Sequence, residues 1–289
     1  MRHKQAKLSK SELCAGHISM EQTANSGQVF LWNRLDGVWF GVNGEDVIGA
    51  TKDKMSSLYG KEERFFRLDD DFGEITKTFH DRIVKKAINN AAGLRLLRQD
   101  PFQCYISFIA SSNSSIQNIR NSLEKVCKKF GRRVNFDGRR FCLFPSPKKL
   151  ANATESELLE CGLGYRARFV KRASQDIVNG KIDLESLRKT DYNTARDSLC
   201  GVFGIGDKVA DCILLFSLDK LEAFPLDRWM LRVLEKYYPG VFSFEGKTLT
   251  SKKYEKMHDD ILEYFGPYAG YAQQFLFKME RDLNQKKWL

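Results

Sequence analysis

The segment GIGDKVADC, residues 204–212, places a lysine at the predicted start of a helix that continues as the apolar run VADCILLF. The positive end of a helix dipole disfavours an ammonium in the first turn, so we expect a lowered pKa for Lys208. A neutral lysine is a nucleophile, whereas the alternative interpretation is an ordinary surface lysine. Cys212 lies one turn further on, on the same helical face.

The residues before this lysine predict a helix, a glycine hairpin and a second helix. The segment ESLRKTDYNTARDSL, residues 185–199, is predicted to be helical, Gly204 and Gly206 allow a sharp turn, and Asp207 is predicted to cap the second helix. Such a hairpin directs backbone amides outward, which is a geometry that holds a phosphate without reading base sequence. The alternative is a turn between two helices with no ligand.

A carboxylate follows in AFPLDRWM, where Asp227 comes two residues after Pro225 and is predicted to cap the next helix. A carboxylate can also stabilise a positive charge that develops on a substrate. The cap is the simpler interpretation of Asp227, because aspartate is common at helix starts.

Composition narrows the class of protein. A formal net charge of +10 favours a polyanionic partner, against the alternative of a merely basic soluble protein. Seven cysteines without a C-x-x-C pair indicate reduced thiols, and we expect neither a metal site nor any cofactor. The basic N-terminus MRHKQAKLSKSELCAG has no signal-peptide core, and no run of about 18 apolar residues occurs, so we expect a soluble intracellular protein with no membrane partner.

The predicted fold class is α+β. Residues 26–51 carry the turn dipeptides Asp36-Gly37 and Asn43-Gly44 between apolar runs, which predicts an antiparallel meander. Helical spacing from residue 72 to Gly93 predicts a helix. We therefore expect a small N-terminal sheet domain at 1–99 and a mostly helical region at 100–289, interrupted by a short hairpin around Asp137-Gly138.

Together these segments resemble the helix-hairpin-helix DNA glycosylases, and specifically the 8-oxoguanine DNA glycosylase branch that also has AP-lyase activity. The resemblance extends from about residue 25 almost to the end, and it includes SGQVFLW, GLRLLRQDPFQCYISFIASSN, CGLGYRARFV and GPYAGYAQQFLF. It implies two helical subdomains that flank a DNA cleft, and a monomer that acts on double-stranded DNA containing 8-oxoguanine. It also implies that Lys208 attacks the sugar C1′ and remains as a Schiff base, while Asp227 stabilises the cationic sugar.

The resemblance also implies a pocket for the extruded base, because the bond to be cut is hidden in the duplex. The Gly27 carbonyl would accept the N7 hydrogen of 8-oxoguanine, which guanine lacks. Gln273 would bind the Watson–Crick edge, Phe277 would stack on one face of the base, and Cys212 would close the opposite wall. Without the resemblance, the simpler interpretation is that Gln273 is a surface glutamine and Phe277 is a core residue.

For DNA binding, the resemblance assigns Asn113 to the gap left by the flipped base, and Tyr165 and Arg166 to the wedge and the partner base. Gly204 and Gly206 would hold a phosphate. Further basic residues would add salt-sensitive attraction: Arg168, Lys171 and Arg172.

The chain also departs from the family pattern. It has Asn118 in place of an arginine that selects cytosine opposite the lesion, serines at 114 and 115 in place of asparagines, and Trp229 in place of a histidine. We therefore expect a relaxed preference for the opposite base. Two alternatives remain open: a monofunctional glycosylase for alkylated bases, which needs no lysine at 208, and a non-catalytic DNA-binding module.

Overall fold

The computed structural model describes residues 18–51, 54–242 and 249–284, so the basic segment 1–16 lies outside the described residues. The described chain opens with helix α1, Met20–Ala24, followed by a four-stranded antiparallel sheet in the order β1-β2-β3-β4. Its strands are β1 Trp32–Leu35, β2 Val38–Asn43, β3 Asp46–Ala50 and β4 Met55–Ser57. Leu35 pairs with Val38 and Asn43 pairs with Asp46, so the chain turns at both predicted dipeptides. The predicted meander is confirmed, and β4 extends it.

The single helix predicted from residue 72 is wrong. After the short helix α2, Glu62–Phe65, the segment forms α3, Phe72–Lys77, and α4, Arg82–Asn90. The break occurs because the Asp81 carboxylate accepts a hydrogen bond from the Val84 amide at 2.7 Å and begins a new helix.

The remainder is mostly helical, as predicted. Its helices are α5 Pro101–Ser111, α6 Ile116–Phe130, α7 Pro147–Asn152, α8 Glu155–Glu160, α9 Ala167–Val178, α10 Leu184–Lys189, α11 Tyr192–Cys200, α12 Asp207–Ser217, α13 Arg228–Tyr237, α14 Ser251–Phe265 and α15 Ala269–Leu283. The predicted short hairpin is confirmed as β5, Arg133–Phe136, paired with β6, Arg139–Cys142. No helix among the described residues is both long and apolar enough to cross a bilayer.

Two predictions around the helix-hairpin-helix need correction. The helix expected over 185–199 is divided into α10 and α11, because the Asp191 carboxylate accepts from the Thr194 amide and caps a new helix. Asp207 is not the cap of α12. Gly206 occupies that position, and Asp207 is the first helical residue, with its carboxylate 2.5 Å from the Arg196 guanidinium.

Part of the sheet region shares a hydrophobic core with the helices, and a second buried cluster includes Trp32 and Ile48. Phe30 and Val47 from the sheet region belong to the same buried cluster as Tyr105 of α5 and Ile213 of α12. The helix α12 packs against α5 and α11, so the lysine-bearing helix is held by a core helix and by the first helix of the hairpin motif.

A buried ion network also joins the N-terminal part to the end of α12. The Asp219 carboxylate lies 2.7 Å from Arg67 and 2.8 Å from Arg98, and its other oxygen lies 3.5 Å from Arg188. The Arg67 side chain is 1% exposed, so this charge depends on its carboxylate partners. The network fixes the position of the loop that follows α12.

Candidate active site

One cavity brings together six residues that the sequence analysis singled out. They come from the turn after α1, from α12, from the loop before α13 and from α15: Gly27, Lys208, Cys212, Asp227, Gln273 and Phe277. Five further residues complete the lining: Ser26, Phe108, Phe216, Pro225 and Gln274. A larger groove of about 390 Å³, lined in part by Asn43 and Asp100, contains none of the predicted site residues.

The amine of Lys208 lies inside this cavity, beside the Cys212 thiol and 5.6 Å from the centre of the Phe108 ring. Burial acts to lower the pKa of Lys208, but the hydrogen bond to Cys212 and the carboxylate of Asp227 outweigh burial and hold the pKa above its ordinary value. The predicted lowering is therefore wrong for the protein without DNA. The amine therefore keeps its proton at neutral pH.

The Cys212 side chain is buried, with 3% of its surface exposed. Burial raises the pKa of its thiol to about 12, although Lys208 acts in the opposite direction. The thiol is consequently neutral at physiological pH, and it offers its sulfur to the lysine ammonium as a weak hydrogen-bond acceptor. An apolar wall with one soft polar atom suits a flat aromatic ligand.

Asp227 is held rigidly. Its Oδ1 atom accepts hydrogen bonds from the amides of Trp229 at 2.9 Å and Met230 at 2.8 Å, which confirms the predicted cap of α13. Neither bond uses Oδ2, so the second oxygen remains available to the cavity. Asp227 is the one carboxylate among the residues that line it.

On the opposite wall, α15 presents Gln273 and Phe277 one turn apart. Gln273 is 5% exposed, and its Oε1 atom is buried without a hydrogen-bond partner among the described residues. A buried amide oxygen without a partner costs about 1–3 kcal/mol, and a ligand that donates to it removes that cost. Gln273 is thus not the surface glutamine of the alternative interpretation.

The cavity is too small for a purine in the protein without DNA. The Phe277 ring lies so close to Gly27 that a Cβ atom on Gly27 would be only 3.1 Å from the ring edge. The remaining cavity volume is about 40 Å³, which admits a few water molecules and excludes a purine. A purine base can therefore enter only after side chains that line the cavity move apart.

A second set of predicted residues meets at the end of α5. The Ser112 carbonyl accepts hydrogen bonds from the Tyr165 hydroxyl at 3.3 Å and from the Arg166 guanidinium at 3.0 Å. Tyr165 is 51% exposed, and neighbouring Asn113 is exposed with a positive φ of 51°. The structure therefore brings Asn113, Tyr165 and Arg166 together on one surface.

At the hairpin, Gly204 has a φ of 93° and approaches Phe169 so closely that a Cβ would lie 2.6 Å from the ring. Only glycine fits this position. Gly206 is exposed at the start of α12 with open space around it. The backbone amides that begin this helix can therefore be approached by a ligand.

Two family models match the chain. One, described as HhH-GPD superfamily base excision DNA repair protein, matches residues 106–256, which is more than half of the chain. The chain belongs to the HhH-GPD superfamily. The other model, described as the N-terminal domain of 8-oxoguanine DNA glycosylase, matches residues 10–105.

Individual members of the superfamily are similar over most of the chain. A probable N-glycosylase/DNA lyase of Methanothermobacter thermautotrophicus is 32% identical over 78% of this chain and 76% of its own length. The N-glycosylase/DNA lyase OGG1 of Arabidopsis thaliana is 33% identical over 75% of this chain, which spans just over half, 56%, of the plant protein. A Clostridium acetobutylicum 8-oxoguanine glycosylase/lyase bound to double-stranded DNA with cytosine opposite 8-oxoguanine superposes with a TM-score of 0.83 at 31% identity, covering 93% of each chain.

The sequence analysis missed several residues at the cavity of this HhH-GPD protein. The Gln274 amide donates to the Ser26 carbonyl at 3.0 Å and so holds the turn that carries Gly27. Arg281, one turn after Phe277, donates to the Asn25 carbonyl at 3.2 Å beside that turn. The spacing of 273, 277 and 281 along one helical face was a usable signal for Arg281. No local signal connects Phe108 with a lysine far along the chain.

Phe203 was also missed. It precedes the HhH hairpin, and 56% of its surface is exposed. Its ring meets that of Phe169 edge to face at 5.0 Å, and the Arg168 guanidinium lies 5.7 Å from the centre of the Phe203 ring. An exposed aromatic ring beside an arginine is unusual on a water-facing turn, and it extends the surface next to Gly204 and Gly206.

Proposed function

We propose that this protein is a bifunctional DNA glycosylase that removes 8-oxoguanine from double-stranded DNA and then cleaves the strand at the abasic site. The observation that carries the proposal is the shared cavity, in which the Lys208 amine lies with the Asp227 carboxylate and the unpartnered carbonyl of Gln273. A nucleophile, a stabiliser of positive charge and an unmet hydrogen-bond acceptor are what excision of an extruded base requires.

In the proposed mechanism, the DNA presents the damaged nucleotide and the Lys208 ammonium first gives up its proton. Asp227 is the acceptor within the cavity. The free amine then attacks C1′ of the deoxyribose and the bond from C1′ to the base breaks. The base leaves with the bonding electron pair and takes the proton from Asp227, which becomes a carboxylate again. Asp227 stabilises the positive charge that develops on the sugar.

The amine nitrogen next forms a Schiff base with C1′ as the sugar ring opens. Loss of a proton from C2′ eliminates the 3′ phosphate and breaks the strand, and water then releases Lys208 by hydrolysis of the Schiff base. Only the neutral amine can attack. The raised pKa of Lys208 therefore makes loss of its proton a contribution to the free-energy barrier of base excision.

For recognition of the lesion, we propose that the Gly27 carbonyl accepts the N7 hydrogen of 8-oxoguanine and faces a lone pair in normal guanine. One unpaired buried acceptor costs about 1–3 kcal/mol, which corresponds to about ten- to hundredfold discrimination. Gln273 binds the Watson–Crick edge, and the base is enclosed between Phe277 and Cys212.

For DNA binding, we propose that the amides near Gly204 and Gly206 hold a phosphate, with Arg168 and Phe203 beside them. Asn113, Tyr165 and Arg166 occupy the gap in the duplex and contact the orphaned base. The protein acts as a monomer inside the cell, and the division at residue 99 separates its sheet domain from its helical region.

Borohydride trapping on a duplex containing 8-oxoguanine tests the proposal. We expect a covalent adduct and a nicked strand with the wild-type protein, and neither with Lys208→Gln. Base release without an adduct would favour the monofunctional alternative, and DNA binding without release would favour the binding module. Repeating the assay with each of the four bases opposite the lesion tests the role of Asn118, which is exposed near the start of α6. A strong preference for cytosine would contradict the expected relaxed preference.

A further inference from the structure

The helix that carries Lys208 and the loop that carries Asp227 are joined by a buried tyrosine. Tyr254 of α14 is 2% exposed, and its hydroxyl donates to Oδ2 of Asp211 at 2.6 Å. Asp211 is fully buried in α12, between Lys208 and Cys212. One end of this connection therefore lies within one turn of the proposed nucleophile.

The other end reaches the loop before α13. The same hydroxyl of Tyr254 accepts a hydrogen bond from the Leu226 amide at 3.1 Å. Leu226 immediately precedes Asp227, whose Oδ1 is fixed by the first amides of α13. The Tyr254 hydroxyl thus donates one hydrogen bond to the helix that carries Lys208 and accepts another from the loop that carries Asp227.

We infer that Tyr254 is a positioning residue, which sets the separation between the Lys208 amine and the Asp227 carboxylate through the hydrogen bonds from Asp211 to Leu226. Tyr254 is not among the residues that line the cavity, so its effect passes through the two elements that it joins. This inference rests on the proposed function, because it assigns Lys208 and Asp227 to the same reaction.

The chain contains a matched control. Tyr192 of α11 donates to Oδ1 of the same carboxylate, Asp211, at 2.7 Å, and it is buried with 8% exposure. Its ring stacks on His258 at 4.4 Å, and its hydroxyl makes no bond to the loop before Asp227 within the part of the chain that is described. Replacing either tyrosine by phenylalanine removes one hydroxyl from Asp211, but only Tyr254→Phe disconnects Leu226.

The experiment compares Tyr254→Phe with Tyr192→Phe in single-turnover excision on an 8-oxoguanine duplex, with Kd measured on an uncleavable analogue. Misplacement of reacting groups by about 1 Å can cost about 100-fold, so we expect Tyr254→Phe to slow excision by about 10- to 100-fold. We expect its adduct yield under borohydride to fall in parallel, with Kd changed by less than about threefold. Tyr192→Phe should keep its rate within about threefold of wild type.

Hydrogen exchange at the Leu226 amide gives a readout that needs no activity. This amide should exchange faster in Tyr254→Phe and as slowly as wild type in Tyr192→Phe, at a temperature where both variants are folded by circular dichroism. Equal rate losses in the two variants, an unchanged rate in Tyr254→Phe, or a loss confined to Kd would overturn the inference. Absence of excision and adduct in the wild type would instead refute the proposed function.

Discussion

The Lys208 amine and the Cys212 sulfur share a hydrogen bond inside a cavity, one helical turn apart on α12. Because the thiol itself has a pKa of about 12, the pair exists at neutral pH as an ammonium and a neutral thiol. The proposed nucleophile is therefore protonated in the protein without DNA, and the proposed mechanism requires it to lose that proton before it attacks.

Removal of this sulfur should change the pH dependence of excision. Cys212→Ala deletes an interaction that favours the ammonium, so the pKa of Lys208 should fall, and the rate at each pH below that pKa should be higher than in wild type. Below the pKa, the neutral fraction rises about tenfold per pH unit. Single-turnover excision between about pH 6 and about pH 9 measures the shift. The control is Cys104→Ala, a buried thiol of α5 outside the cavity lining. Identical profiles for all three proteins would contradict the role given to Cys212.

Removal of the unpartnered oxygen of Gln273 should weaken binding of the lesion duplex without lowering the free energy of unfolding. Gln273→Leu replaces a buried amide that lacks a partner, so the free energy of unfolding should stay within about 1 kcal/mol of wild type or increase, while Kd for the lesion duplex weakens about tenfold. Neighbouring Gln274 is the matched control, because its amide does have a partner in the Ser26 carbonyl. Gln274→Leu should lower the melting temperature. If Gln273→Leu destabilised the protein as much as Gln274→Leu, the oxygen would not be poised for a ligand.

Arg168 and Phe203 on the hairpin surface should contribute to DNA affinity in two ways, the first dependent on salt and the second independent of it. Arg168→Gln should reduce the slope of log Kd against log salt by about 0.9, because one fewer phosphate is neutralised. Phe203→Ala should weaken binding at every salt concentration and leave the slope unchanged, because an aromatic ring releases no counterions. Titrations of a non-specific duplex at several salt concentrations measure both quantities. A changed slope in Phe203→Ala, or an unchanged one in Arg168→Gln, would place the DNA elsewhere.

Asp219 should stabilise the fold in a pH-dependent manner. Burial raises the pKa of Asp219, but Arg67, Arg98 and Arg188 outweigh burial and hold the pKa below its ordinary value. Its contribution is therefore complete above the unfolded pKa of about 3.9 and is lost as the pH falls through the lower folded value. Asp219→Asn should cost about 1–3 kcal/mol at pH 7, because it removes the carboxylate shared by Arg67 and Arg98 and leaves them only Asp69 and Asp70, and the deficit should shrink below about pH 4.

Denaturant unfolding of Asp219→Asn measures this cost, and Asn tolerates the positive φ of 60° at this position. Glu74→Gln is the control, since Glu74 pairs with Lys77 on the surface and should contribute less than about 0.5 kcal/mol. A pH-independent deficit in Asp219→Asn would indicate a packing effect in place of an electrostatic one.

Turns and helix caps of this protein can be predicted from the sequence better than helix boundaries and tertiary contacts. The meander, the short hairpin and the Asp227 cap follow from turn dipeptides and capping chemistry within a few residues. The breaks before Asp81 and Asp191 were missed because apolar periodicity continues across them, while a carboxylate cap decides where each new helix begins.

The pKa of Lys208 was mispredicted for a different reason. The helix dipole can be inferred from local sequence, but the opposing carboxylate of Asp227 is brought near only by tertiary packing. Resemblance to a family supplied the residues of the cavity, and it could not supply the contact between Phe277 and Gly27 that closes it.

That closure has a consequence for inhibition. Because the cavity volume is only about 40 Å³ in the protein without DNA, we expect a free purine base to bind weakly and to compete poorly with damaged DNA for the site. Compounds selected against the DNA-free protein should therefore find little space in the cavity. Screening on an abasic-DNA complex should instead reveal ligands that bind where the excised base leaves.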